Sequence, residues 1–297
     1  MDDRITLRRC LGIVLLLLGL LCAAAPAAAM PPLGQDAEEA GDQAGLEEQH
    51  KALVTRVYAA VLNQDDTLLA TELFADDLVQ HDARAGGGEA GQFALFASLK
   101  ASTPGVVATI KHIAADGDLV AVHWQASATP DDEFTGQAVI DVWRLADGKI
   151  VEHWGGFQDV PAAAASGNSM FSDVYTYPQG APTVSEGQEA ANRELAVAAF
   201  TDLFNNQNLA LLDQVWDPQY VQHNPRFPNG TPALAGLVES APAGSGPRII
   251  VSQALADGDL VFTIRNVAGG NVAADIWRVV DDKIVEHWDV VPPPPTA

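Results

Sequence analysis

Cysteine is nearly missing from this 297-residue chain, and its two examples, Cys10 and Cys22, both sit in the N-terminal segment. Disulfides and thiol chemistry therefore cannot hold or run the rest, whose stability has to come from packed cores. Basic residues are scarce as well: 16 Lys and Arg stand against 39 Asp and Glu, a formal charge of −23. Such a chain repels phosphate backbones and anionic lipid surfaces, which excludes nucleic acid as an expected partner and leaves a solvated acidic surface. No His-x-His or His-x-x-x-His pair occurs among the seven histidines, so the short-spaced signature of many metal sites is absent too. The apolar run from Leu11 to Leu21 is shorter than the ~20 residues a membrane-spanning helix needs.

That run has a context of its own. Arg4, Arg8 and Arg9 precede it and Ala27, Ala28 and Ala29 close it, so residues 1–29 read as a signal peptide cleaved after Ala29, with no membrane association afterwards. The protein is expected to be exported, periplasmic or secreted. A lipoprotein signal through Cys22 is disfavoured by Gly19 and Leu21, which occupy positions where such signals carry Leu and a small residue, and Arg8-Arg9 alone does not establish a twin-arginine route. Residues 30–47 are acidic and poor in aromatics and read as a disordered linker. Residues 162–187, rich in small and turn residues, read as an interdomain linker that packs partly through Met170, Phe171, Tyr175 and Tyr177. A proline-rich tail, 292–297, ends the chain.

Between these segments lie two copies of one domain, 48–161 and 188–291. DVWRLADGKIVEHW (Asp141 to Trp154) answers DIWRVVDDKIVEHW (Asp275 to Trp288), LVQHD (Leu78 to Asp82) answers YVQHN (Tyr220 to Asn224), and ADGDLV recurs at Ala115 and Ala256. The period is domain-sized, not that of a solenoid. The second copy has lost residues ahead of its hairpin, where the first has Ala128 to Gly136, and a shortened loop is expected there.

Each copy opens with helical spacing, Leu53, Val57, Tyr58 and Val61 in one and Leu195, Ala199, Leu203 and Phe204 in the other. A short helix follows, Thr67 to Phe74 and Leu209 to Trp216, with Asp66 and Asn208 as N-cap candidates. Strands are expected around Leu78 to His81, Thr109 to Ala114, Leu119 to Gln125, Ala138 to Leu145 and Ile150 to Phe157. Helices first and an antiparallel meander after is an α+β order. In the last hairpin a three-residue loop with Gly148 left-handed would pair Leu145 with Lys149 and place Asp141 opposite His153. A two-residue turn would send His153 to the other face. Two successive Asp in the second copy, Asp281 and Asp282, favour the three-residue loop, since a left-handed Asp is uncommon. One face then carries Asp141, Trp143, Val151 and His153, while Val142, Arg144, Ile150, Glu152 and Trp154 point away. A carboxylate and an imidazole among aromatics suit proton transfer; they equally suit an ion pair stapling two strands.

These motifs, Q-H-N with Pro225, the Gly117 to His123 segment and D-x-W-R-x-x-D-G-K-I-V-E-H-W, resemble the SnoaL-like (polyketide cyclase-like) proteins of the nuclear-transport-factor-2-like superfamily, in particular the group described as aldol-condensation-catalysing enzymes. The resemblance covers most of both repeats. It implies two cones of curved antiparallel sheet wrapped on N-terminal helices, each with a pocket in its mouth, and an aspartate general acid/base that removes a proton α to a carbonyl without metal or organic cofactor. In this sequence the candidate bases are Asp141 and Asp275. His81, His123 and His153 in the first copy, and His223 and His287 in the second, are candidates for stabilising the enolate or carrying the proton. Trp143, Trp277 and Asn224 are candidate ligand contacts. The two copies are expected to pair within the chain through sheet faces such as those of Trp154 and Trp288. The expected partner is a small apolar carbonyl compound. The competing reading is a non-catalytic module that uses the same pocket for a small hydrophobic ligand, or the fused pair as an interaction scaffold, because this fold hosts many functions.

Overall fold

The computed structural model describes residues 35–240 and 248–293, with side chains from residue 41; the expected signal segment lies outside them. No helix among the described residues is long and apolar enough to cross a membrane.

Domain 1 opens with α1 (Gln35–Arg56), which continues as a π-helical turn through Leu62, and α2 (Thr67–Leu73), capped by the Asp66 side chain accepting from the Leu69 amide. Helix α1 begins inside the stretch read as a disordered linker, and that reading is corrected. Its Ala, Glu and Gln content, compatible with disorder, is equally good helix former, and tertiary contact decides: Glu47 is buried and accepts from the Gly117 amide at 2.7 Å. Strand β1 (Phe74–Gln80) precedes α3 (Gly88–Ser102), which sequence reading missed, and then come β2 (Val107–Asp116), β3 (Leu119–Ser127), β4 (Gln137–Ala146) and β5 (Lys149–Asp159). Domain 2 repeats the order as α4 (Glu186–Asn205), α5 (Leu211–Gln214), β6 (Trp216–Gln222), α6 (Thr231–Ser240), β7 (Gln253–Asp257), β8 (Leu260–Asn266), β9 (Val272–Val280) and β10 (Lys283–Val290). Asn208 does not cap α5; its amide donates to Asp202 at 2.6 Å.

The sheets run β1-β5-β4-β3-β2 and β6-β10-β9-β8-β7. They are mixed, not purely antiparallel, because β1 and β6 lie parallel to β5 and β10. The long α3 and α6 crossings make that parallel return feasible, since a tight hairpin joins only antiparallel strands.

The signature hairpin differs from expectation at its turn. Ala146 pairs with Lys149, leaving a two-residue turn in which Asp147 and Gly148 both have positive φ, 50° and 74°. Asp281 and Asp282 do the same at 49° and 58°. The strand twist favours this turn strongly enough to hold two left-handed aspartates in succession. One extra residue enters further along, as a bulge that pairs Leu145 with Ile150 but Arg144 with Glu152. The bulge restores the side-chain parity that the shorter turn would have reversed. Asp141 therefore lies opposite Gly155 and Trp143 opposite His153, with Asp141, Trp143 and His153 on one face. Ile150 joins them in the domain 1 core, contrary to the assignment made from sequence.

The other faces of the two sheets pack together. Ile140, Val142 and Trp154 meet Ile264, Ile276 and Trp288, and the linker seals the seam with Met170 and Phe171. The repeated A-D-G-D motif is reciprocal across it: Asp257 accepts from the Ala115 amide at 3.0 Å, and Asp116 accepts from the Ala256 amide at 3.2 Å. Lys51 pairs with Asp257 and Arg193 with Asp116, again as equivalents. Such self-complementary contacts are those of a two-fold dimer, here closed within one chain.

Two histidines lie in this seam. His112 and His123 stack at 5.3 Å with Nδ1 atoms 3.0 Å apart, between the Trp288 and Phe171 rings. One Nδ1 must donate and the other accept, so the contact is lost when both carry a proton. Burial, then the charges of His112, His223 and Lys111, push the His123 imidazole well below its ordinary 6.5. As pH falls below 6.5 the unfolded chain takes up this proton and the folded one does not. Stability contributed by neutral His123 is thus complete above 6.5 and declines below it, by up to ~1.4 kcal/mol per pH unit. Melting temperatures between pH 7.5 and about 5 should show a shallower decline for His123→Leu than for the parent; an unchanged slope would assign the pH dependence elsewhere.

Candidate active site

On the inner face of each sheet the same trio recurs, a glutamine, a histidine and an aspartate. His153 Nδ1 lies 2.8 Å from Gln80 Oε1 and its Nε2 lies 3.0 Å from Asp141 Oδ1. His287 Nδ1 lies 3.0 Å from Gln222 Oε1 and its Nε2 lies 3.3 Å from Asp275 Oδ1. Each glutamine oxygen is identified by a backbone amide that donates to it, Asp82 at 2.9 Å and Asn224 at 2.7 Å. The glutamine is therefore the acceptor and the ring's Nδ1 the donor. A second proton has to lie between Nε2 and the carboxylate, or two lone pairs would face each other. The couple is built to hold one mobile proton. Each ring is also stacked on its neighbouring indole, Trp143 at 3.9 Å and Trp277 at 4.2 Å between centroids.

Domain 1 leaves its aspartate saturated. Asp141 Oδ2 accepts from Tyr58 OH and Trp124 Nε1, each at 2.7 Å, while Oδ1 faces His153. Tyr58 also accepts from Trp143 Nε1 at 2.9 Å. Burial, the Asp141 charge and their hydrogen bond push the Tyr58 phenol well above its ordinary 10.0. The hollow beside Asp141 measures only about 30 Å³.

Domain 2 is opened by substitution. Phe200 stands where Tyr58 does and Arg265 where Trp124 does, and a cavity of about 170 Å³ borders Asp275, His287 and Asp289 with Phe200, Tyr220 and Trp277 in its wall. The remaining contact on Asp275 Oδ2 comes from Arg265 Nε at 3.2 Å. The neighbouring carboxylate has moved between strands. In domain 1 it is Asp82, packed where a side chain on Gly155 would go: a Cβ there would stand 2.5 Å from Asp82 Oδ2. In domain 2 the same two positions read Asn224 and Asp289, and Asn224 donates to Asp289 Oδ2 at 2.6 Å. Asp289 Oδ1 is buried without a partner. Burial draws the Asp289 carboxyl above its ordinary 3.8, and the Asp275 charge adds to this. Burial acts on Asp275 in the same sense, but the Arg265 charge and the His287 hydrogen bond overcome it and hold Asp275 below 3.8. Two carboxyls paired across strands beside one imidazole are thus shifted in opposite directions, as in an acid/base pair.

Ligand atoms of Asp275, His287 and Asp289 lie within 4.8 Å of one another, close enough for a metal ion, although Arg265 already sets a cation against Asp275.

Of the residues expected from sequence, Asp141 with His153 and Asp275 with His287 are brought together, and Trp277 and Asn224 line the domain 2 cavity. Three histidines are corrected. In the parallel register Gln80 lies beside His153, so His81, one residue on, faces the opposite side, bonded to Glu152 and stacked on Trp154. His223 likewise faces the seam, on Glu286 and the Ser169 carbonyl. His123 is the seam histidine already described. Trp143 is fully buried in the domain 1 core and is not in the wall of the hollow beside Asp141, so its ligand role is corrected too. Reading the Q-H pair for its imidazole overlooked the glutamine that does reach the site, although Gln precedes His in both copies. Asp289 could be seen only as a difference between copies.

The family model of the SnoaL-like domain matches residues 54–153 and again 197–287. Among solved structures, IdmH of Streptomyces antibioticus, a candidate polyketide cyclase, is 25% identical with a TM-score of 0.32, over 36% of this chain and 91% of its own. A candidate isomerase of the SnoaL-like family from Agrobacterium tumefaciens is 21% identical with a TM-score of 0.33, over 37% and 98%. AclR of Streptomyces galilaeus, a candidate hydroxylase, is 24% identical with a TM-score of 0.33, over 39% and 82%. No curated protein matches the chain.

Proposed function

Since the chain belongs to the SnoaL-like family through both of its domains, we propose that it is an exported acid/base catalyst of cyclase, aldol or isomerase type that works on a small apolar carbonyl compound, with domain 2 as the working copy. The observation that carries this reading is the cross-strand pair Asp275 and Asp289, with His287 beside them, at one largely apolar cavity. Asp275, charged and coupled to His287, takes the proton α to the carbonyl. The C–H electron pair passes into the enolate, whose oxygen takes a hydrogen bond or a proton from Asp289. The enol carbon then takes the proton back at another position, which is isomerisation, or attacks a second carbonyl whose new alkoxide receives it, which is aldol closure. Export rests on residues 1–29.

Domain 1 suits neither catalysis nor a small ligand, because a saturated Asp141 sits beside a hollow of only about 30 Å³; it fits the scaffold half of a fused pair. A panel of cyclic and aryl ketones in D₂O tests the proposal: protein-dependent loss of α-proton signals in ¹H NMR supports it, and tight binding without exchange overturns it. One pH effect follows from the raised Asp289. The rate should fall as pH rises through the Asp289 titration, because its protonated form is the donor, and Asp289→Asn should remove that limb. A parent profile flat on the alkaline side would take Asp289 out of the reaction.

A further inference from the structure

Arg265 borders two spaces, the cavity of Asp275 and an adjoining open hollow of about 550 Å³. That hollow is walled by Arg248, Ile249, Ile250, Ser252 and Val267 among others, and no described residue of its lining is acidic. In a chain with 39 acidic and 16 basic residues, two arginines facing one hollow without a carboxylate is a local reversal of charge. Arg265 is also singly engaged among the described residues. Its Nε meets Asp275, whereas the half-buried Arg144 and the buried Arg278 spend terminal nitrogens on Asp118, and on Asp259 and Asp173. A guanidinium with its Nε anchored keeps two terminal N–H groups in fork geometry for a planar anion. Ile250, 73% exposed, and Val267 supply an apolar surface beside it.

From this we infer that the domain 2 site takes a substrate bearing a carboxylate, held by Arg265 and Arg248 in the outer hollow while its carbonyl end reaches Asp275. The inference deepens the acid/base reading and names its substrate class, an apolar keto acid. Long-range repulsion from the negative chain works against such a ligand, so any preference for it has to be local, and screening by salt separates the two contributions.

The test uses 3-benzoylpropionate, an aryl ketone with a carboxylate, and its neutral methyl ester. Titration calorimetry should show the acid bound roughly tenfold to a hundredfold more tightly than the ester. Arg248→Gln should cut that preference, and Arg265→Gln/Arg248→Gln should abolish it. Equal binding of acid and ester, weaker binding of the acid, or a preference that survives the double variant overturns the inference. Exchange on the ester without any acid preference sinks the anchor and leaves the catalysis; acid preference without exchange on either compound keeps the anchor and sinks the catalysis.

Discussion

Asp275→Asn should slow α-proton exchange by about a thousandfold, whereas Asp141→Asn should leave the rate within about twofold. The two substitutions are the same chemical change at equivalent positions, and only the surroundings differ. An amide at position 275 could no longer accept the α-proton, and it would present N–H or oxygen to His287 where a shared proton stood. At position 141 the cost should fall on stability. Asp141 collects donors from Tyr58, Trp124 and His153, and an asparagine amide would turn one acceptor into a donor facing donors, a loss of ~1–3 kcal/mol. Exchange rates by NMR and urea midpoints on the same two preparations check both halves. An Asp141→Asn protein that folds as well as the parent but exchanges no protons would move the chemistry to domain 1.

Much of this was legible in the residues, and what was not has physical reasons. The duplication, the strand positions and the shared face of Asp141, Trp143 and His153 follow from patterns that repeat in both copies. The face came out right although the turn did not: the two-residue turn and the bulge at Arg144 cancel in parity, and alternation alone carries no sign of either. The parallel return of β1 onto β5 is a long-range pairing, and it decides that Gln80 and not His81 meets His153. Helices α3 and α6 were passed over because their apolar residues are interspersed with glycine, alanine and serine, which read as loop. Exchange of a carboxylate between Asp82 and Asp289 is invisible within either copy, since each position becomes intelligible only when Gly155 and Asn224 are seen to face each other's counterpart.

Glu286→Ala should cost ~3–5 kcal/mol of stability, against ~0–1 kcal/mol for the equivalent Glu152→Ala. The hairpins are nearly identical in sequence, yet Glu286 is fully buried and Glu152 keeps 24% of its side chain in solvent. Glu286 Oε1 accepts from His223 Nε2 at 2.9 Å and from the Val174 and Tyr175 amides at 2.7 and 3.1 Å, and Oε2 accepts from Arg278 Nε at 3.0 Å. Since His223 Nδ1 donates to the Ser169 carbonyl at 2.6 Å, both its ring nitrogens donate, and removing the carboxylate leaves a cationic ring and part of a guanidinium facing an empty space. The linker segment at Val174 and Tyr175 would lose its clamp in the same step. Burial alone would raise Glu286, but the His223 hydrogen bond, the Val174 amide and the His223 and Arg278 charges hold it below its ordinary 4.5. Its contribution is therefore complete above 4.5 and is lost as pH falls through the lowered value, so the gap between parent and variant should narrow in strong acid. Urea denaturation followed by tryptophan fluorescence reports on it directly, because Trp288 stacks on His223 at 4.9 Å. Glu286→Gln, of the same shape, should lose most of the same free energy if charge holds the seam, whereas a loss below about 1 kcal/mol in both variants would assign its cohesion to the apolar faces alone.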